Sequence, residues 1–118
     1  MKSLAIELHA VAAQRVTVTA NALCVDLTDG RTVSVPLAWY PRLLHGTPRE
    51  RNKWRLIGEG EGIHWTDLDE DISVASLMMG KPSGESQRSL KDWLEQRRVS
   101  KEHTHLQTHA ARQRQAHG

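Results

Sequence analysis

The chain of 118 residues contains no phenylalanine, one tyrosine and one cysteine. A single cysteine, Cys24, excludes an internal disulfide and fits a reducing cytoplasm, where we expect the protein to reside. No apolar run approaches the roughly 20 residues that a membrane-spanning helix needs. The first residues carry one lysine but no unbroken apolar core, so we expect neither a signal peptide nor a membrane partner. These absences favour one small domain with a modest hydrophobic core.

The net charge of +2 conceals an uneven distribution of charged side chains. Residues 1–80 carry 8 basic and 10 acidic side chains, whereas residues 81–118 carry 8 basic and 4 acidic ones. The second part also holds four of the seven histidines. A basic tail is typical of contact with nucleic acid or an acidic partner, but a tail that only keeps a domain soluble has the same composition.

Alternation of β-branched and polar residues predicts three antiparallel strands near the start of the chain, at 16–19, 23–28 and 32–35. The positions of the apolar residues in the second and third strands determine how many residues the turn between them contains. A three-residue loop over 28–30 pairs Val25 with Val33 and keeps both apolar sets on one face. Gly30 would then adopt a left-handed conformation, which glycine tolerates best.

Helix-start and helix-stop residues predict three short helices after these strands. The first begins at Pro41 and ends before Gly46. The second follows Thr47, which forms a capping-box pattern with Glu50, and its exposed side is expected to carry the arginines and the lysine of its sequence. The third follows Ser73 as its N-cap.

The remaining segments complete the predicted architecture. A fourth strand is expected at 54–57, and a C-terminal helix is expected around Leu90, with Ser89 as its N-cap. The predicted fold class is α+β: a small antiparallel sheet, built as a hairpin or meander, with several short helices, the C-terminal helix and a disordered tail. We divide the chain into a compact domain, a linker with the C-terminal helix, and a disordered, basic, histidine-rich tail, at 1–80, 81–98 and 99–118.

The stretch from Gly58 to Gly80 has the most distinctive chemistry, because a His-Trp pair precedes a cluster of acids. Alternating acids can bind a hard cation, but the glycine and distal glutamate of a calcium loop are missing. We therefore expect no metal and no cofactor, and we expect the acids to favour the start of the following helix through its dipole. Trp39, Trp54 and Trp65 are expected to be core residues.

Several unusual sequence words occur here in order: DGRTVSVPLAWYPRLLHGTPRERNKW, GIHWTDLDEDISVASLMMG and, towards the tail, GKPSGESQRSLKDWLEQR. From about Val16 to Arg98 the chain resembles the bacterial family known as domain of unknown function 2442. The resemblance implies a small α+β domain found in bacteria and mobile elements. It also implies a frequent gene neighbour, a small protein of the domain of unknown function 4160 family, which has prompted toxin–antitoxin proposals. No catalytic residue is established for that family, so none is carried over.

Our leading hypothesis is a non-enzymatic protein-binding module, the antitoxin-like partner in a two-gene pair of toxin–antitoxin type. The expected partner is the small neighbouring gene product, and self-association into a homo-oligomer is left open. The predicted binding surface consists of Arg42, His64, Trp65, Asp67, Asp69, Asp71 and Trp93.

Two other functions remain open at this stage. The first is a nucleic-acid-binding or regulatory protein that uses the basic tail and an arginine-rich face, made of Arg42, Arg49, Arg51, Arg97 and Arg98. The second is a small enzyme that uses His64 and nearby carboxylates. Sequence alone places no nucleophile or carboxylate relative to His64, so we predict no catalytic residues.

Overall fold

The structure is a computed structural model that describes residues 11–100. Most of the tail expected at 99–118 therefore lies outside the described residues. Within that range, the chain up to Gly84 forms one compact unit, and the chain from Glu85 onward forms a second. Each unit is described by itself.

The strands are β1 (Ala13–Val18), β2 (Ala22–Leu27), β3 (Thr32–Pro36), β4 (Trp54–Ile57), β5 (Gly62–Trp65) and β6 (Glu70–Ser73). The α-helices of the first unit are α1 (Pro41–Leu44), α2 (Pro48–Arg51) and α3 (Val74–Met78). Short 3-10 helices at Leu37–Trp39 and Gly58–Gly60 follow β3 and β4. The described part of the second unit holds one helix, α4 (87–100).

The strands form two antiparallel sheets of three strands each, in the orders β1-β2-β3 and β4-β5-β6. This arrangement confirms the predicted α+β class, with meanders, short helices and a C-terminal helix. Strand β6 is not among the predicted strands, because acidic residues such as Glu70 and Asp71 have low strand propensity. Helix α3 contacts β3, and the 3-10 helix at Gly58–Gly60 lies against the start of β1, so the two meanders belong to one unit.

The predicted turn between β2 and β3 is confirmed in its length and its register. Val25 pairs with Val33 and Leu23 pairs with Val35. The Leu27 N–H donates to the Arg31 carbonyl at 2.8 Å across the three-residue loop. Gly30 has a φ of 91°, in the left-handed region.

Side-chain caps mark the starts of α2, α3 and α4. The capping box of Thr47 and Glu50 is present, and the side chain of Ser73 accepts from the Ser76 N–H, so both predicted helix starts are confirmed. The start predicted for α4 is wrong. Its first turn is capped by Ser86, whose Oγ accepts from the Ser89 N–H at 3.1 Å.

The core of the first unit comes from one face of each sheet and from the segments between the strands. Its fully buried side chains include Leu23, Leu27, Val25, Leu37, Leu43, Ile63, Trp65, Leu68 and Val74. Of the three tryptophans expected in the core, Trp65 is fully buried, whereas Trp39 and Trp54 are only half-buried. In the described part of the chain, no helix is both long enough and apolar enough for a membrane span.

Candidate binding surface

Strand alternation places His64 and Asp71 on the outward face of the second sheet. His64 lies between Arg55 of β4 and Asp71 of β6 in the strand register. We call these three residues the outer row. Nδ1 of His64 lies 2.5 Å from Oδ1 of Asp71, and the two side chains are 19% and 65% exposed. The outer row therefore presents a cation, an imidazole and a carboxylate side by side on a paired β-sheet.

The hydrogen bond to Asp71 orients the imidazole of His64. When Nδ1–H donates to the carboxylate, Nε2 is left as a hydrogen-bond acceptor. Among residues 11–100, no hydroxyl or thiol forms a hydrogen bond with Nε2. The same residues contain no group of three or more side chains placed to hold a metal ion. The geometry suits recognition of a donor on another molecule.

Trp65 does not belong to this surface, and its predicted role as an exposed binding residue is wrong. Its side chain is 0% exposed, and its indole N–H donates to the Arg51 carbonyl at 3.0 Å. Neighbouring residues of a strand point to opposite faces, so His64 and Trp65 cannot share one. The alternation of β5 could have revealed this, because Ile63 and Trp65 form the apolar set.

The loop between β5 and β6, residues 66–69, carries two acids that pair with basic residues from other segments. Lys53 Nζ lies 3.2 Å from Asp67 Oδ2. Arg42 Nη1 donates to the Asp69 carbonyl at 3.0 Å and lies 3.5 Å from Oδ2 of the same residue. We call these two contacts the loop pairs. Exposed ion pairs contribute little to stability, so their main effect is to orient the loop.

The expectation that the acids favour the start of α3 is wrong. The first turn of α3 contains no acidic residue, since the strand β6 separates the loop acids from the helix. Leu68 is fully buried although it lies in the middle of the loop. Asp69 has a φ of 50°, a left-handed conformation that aspartate tolerates better than most residues. The loop is therefore fixed by the buried side chain of Leu68 and by the loop pairs at the surface.

The arginine-rich face proposed for nucleic acid is largely engaged in contacts within the protein. The guanidinium of Arg51 donates to the carbonyls of Leu43 and Leu44 at 2.8 and 2.7 Å, so the expectation that it is exposed is wrong. Both carbonyls lie at the end of α1, and the Leu43 carbonyl also accepts from the Gly46 N–H at 3.1 Å. Arg49 is exposed, and Arg42 belongs to a loop pair.

The second unit contains the other predicted contact residues. Arg98 pairs with Glu95 at 2.5 Å, and the guanidinium of Arg97 lies 4.6 Å from the centre of the Trp93 ring. A cation over an indole face is a favourable contact within one helix turn. Arg97 therefore contacts Trp93, whereas Arg98 contacts Glu95. Trp93 is only 8% exposed, so its predicted role as an exposed binding residue is wrong.

Sequence reasoning missed two residues at the edge of β6, Tyr40 and Glu70. The Tyr40 hydroxyl donates to the Lys81 carbonyl at 3.3 Å, and Glu70 Oε1 accepts from the Asp71 N–H at 3.1 Å. Burial, and secondarily the negative charge of Glu70, raise the pKa of Tyr40 above its ordinary value of 10.0. Sequence patterns could not place these two residues together, because strand β6, which brings Glu70 towards Tyr40, was not predicted.

This raised pKa makes stability fall at alkaline pH. Above pH 10.0 the unfolded chain releases the tyrosine proton before the folded chain does, so stability declines as pH rises through this window. Urea unfolding from neutral pH upward should show this decline, and Tyr40→Phe should flatten it. Since the chain has one tyrosine, tyrosinate absorbance reports this residue alone. A folded-state titration at the ordinary value would contradict the prediction.

The geometry defines a class of small α+β protein in which two three-stranded meanders are joined by short helices. A family model described as "Protein of unknown function (DUF2442)" matches residues 13–83. The chain belongs to this family, as its resemblance indicated.

Two solved structures are similar to the chain. A protein of unknown function from Rhodospirillum rubrum is 25% identical, with a TM-score of 0.56, over 65% of this chain and 95% of that one. An uncharacterized protein from Chromobacterium violaceum is 17% identical, with a TM-score of 0.54, over 69% of this chain and 74% of that one. The second likeness shows the fold alone. No curated protein matches the chain.

Proposed function

We propose that the chain is a non-enzymatic, cytoplasmic protein-binding module whose partner contacts the outer row and the adjoining loop pairs. The observation that carries this proposal is the outer row itself. Arg55, His64 and Asp71 lie next to one another on the outward face of the sheet, with the imidazole oriented by the carboxylate. A rigid sheet presents such groups with little loss of conformational entropy on binding.

An apolar contact lies on the same face. Ile57 is 37% exposed and lies across Gly62, where a Cβ would approach its Cγ1 to 3.0 Å. The absence of a side chain at Gly62 lets Ile57 lie flat on the sheet. A polar row with one exposed apolar side chain has the mixed character of protein interfaces.

The partner we propose is the small product of a neighbouring gene, of the domain of unknown function 4160 family that the family resemblance implies. The chain would act as the antitoxin-like half of that pair.

Co-expression of the two genes and purification through a tag on the partner test this proposal. Reversing the charge of Arg55 with Arg55→Glu is expected to weaken the complex about ten-fold or more, because interface charge reversals cost several kcal/mol. Arg15→Glu is the matched control, since Arg15 is also an exposed strand arginine but lies on β1 of the other sheet. The absence of a complex, or equal weakening by both variants, would overturn the proposal.

A further inference from the structure

A polar groove with a volume of about 290 Å³ runs beside β6. One wall consists of all four residues of β6, and the other consists of residues 81–84. Tyr40 and Ser76 complete the lining. Consecutive strand residues point to opposite faces, so a groove lined by four in a row must follow the edge of the strand. We call it the edge groove.

The edge of β6 that faces the groove is the one that does not pair with β5. Within residues 11–100, β6 pairs with β5 on one edge and with no strand on the other. The Asp71 N–H donates to the side chain of its own neighbour, Glu70, which marks it as an amide on the free edge. An unpaired strand edge offers hydrogen bonds that another extended chain can take up.

Two hydrogen bonds hold residues 81–84, the second wall of the groove, in place. The Ser83 N–H donates to the Trp39 carbonyl at 3.0 Å, and the Tyr40 hydroxyl donates to the Lys81 carbonyl. The groove is therefore formed before a ligand arrives, which lowers the entropic cost of binding.

The charge of the lining indicates what the groove can accept. Glu70 and Asp71 contribute two carboxylates and Lys81 contributes one ammonium group, while Ser73 and Ser76 add hydroxyls. The groove is thus acidic and rich in hydrogen-bonding groups. Its volume is at the lower limit of about 300–1,000 Å³ for small-molecule pockets, so a narrow extended chain fits it better than a cofactor does.

We propose that the edge groove binds an extended segment of the partner protein, which adds to β6 as a further strand. A lysine or arginine of that segment lies beside Glu70 and Asp71. Four strand residues span about 13 Å, at roughly 3.3 Å each, so the contact covers about four residues of the segment. This inference rests on the proposed function, because the segment belongs to the partner.

A displayed library of random linear peptides, selected against the full chain, tests this inference. The enriched peptides are expected to carry lysine or arginine and to shift the backbone amide resonances of 70–73 and 81–84. N-methylation at alternate peptide residues on the pairing side should abolish binding, since it removes the donors that pair with a strand edge. This test is independent of any substitution in the protein.

The acidic lining is tested by the double variant Glu70→Gln with Asp71→Asn. It should weaken peptide binding about ten-fold, the equivalent of about 1.4 kcal/mol. The matched control, Asp26→Asn with Asp29→Asn, removes the same charge from the β2–β3 hairpin and should change affinity less than about two-fold, because exposed distant charges are screened. Thermal melts establish that both double variants are folded.

Three outcomes would overturn the inference: no enriched peptide, amide shifts confined to other residues, or equal losses in the two double variants. Its failure is distinguishable from failure of the proposed function. The single variant Glu70→Gln leaves the outer row intact, so a neighbouring gene product that this variant retains normally contradicts the edge groove alone. If peptides bind the groove but the two gene products form no complex, only the identity of the proposed partner is contradicted.

Discussion

Replacing Trp65 with alanine is expected to lower the free energy of unfolding by about 3–5 kcal/mol, because the change removes a buried indole and leaves a cavity. The indole N–H bond to the Arg51 carbonyl is lost as well, so a partly buried acceptor loses this partner. Small domains have about 5–15 kcal/mol in total, so the substitution removes roughly a fifth to all of the stability. Urea unfolding followed by circular dichroism measures the loss.

Two controls separate burial from chemistry at this position. Trp65→Phe keeps most of the buried ring and should cost about 1–3 kcal/mol, from the lost hydrogen bond and the reduced volume. Trp39→Ala makes the same truncation at a half-buried residue and should cost less than Trp65→Ala. If Trp65→Ala unfolds like the wild type but loses the partner, Trp65 is a contact residue after all.

The parts of the fold that sequence reasoning predicted correctly are those set by neighbouring residues. The register of β2 and β3 follows from the parity of two short alternations and one glycine, all within 23–35. The capping box of Thr47 and Glu50 follows from two side chains three positions apart. Local patterns of this kind need no knowledge of the rest of the chain.

The candidate site was only partly predictable, because it depends on contacts between distant segments. Strand β6 is acidic at Glu70 and Asp71, and it forms because β5 lies next to it. Propensity alone disfavours a strand there. The loop pairs join the loop to Arg42 and Lys53, which no local pattern connects to it. His64 and Asp71 were predicted as surface residues, but their mutual contact required the register.

Trp65 shows how an error of this kind arises. A His-Trp pair was interpreted as one feature because the two residues are adjacent in sequence. Adjacent residues of a strand point to opposite faces of the sheet. His64 therefore lies in the outer row, whereas Trp65 lies in the core. The same alternation reveals Arg55, which sequence reasoning omitted and which register places beside His64.

The site depends on the 3-10 helix between β4 and β5, which is held against the start of the first sheet. Gly60 in this helix has a φ of 90°. A Cβ there would lie 2.8 Å from the Ala13 carbonyl oxygen and 3.0 Å from the Ala12 Cβ. Thr28 fixes this segment, because its Oγ1 accepts from the Ala12 N–H and its own N–H donates to the Ala12 carbonyl. The backbone of β1 has little freedom to move away from a new side chain.

Gly60→Ala is therefore expected to lower the free energy of unfolding by about 2–5 kcal/mol, combining left-handed strain with overpacking. Gly30→Ala is the matched control, since Gly30 has a φ of 91° but no atom within 4 Å of the added Cβ. It should cost only about 1–2 kcal/mol, from the strain alone. Both substitutions reduce the entropy of the unfolded chain equally, so the difference between them measures the clash with β1. Equal losses in urea unfolding would mean that the contact between the 3-10 helix and the first sheet is looser than its geometry indicates.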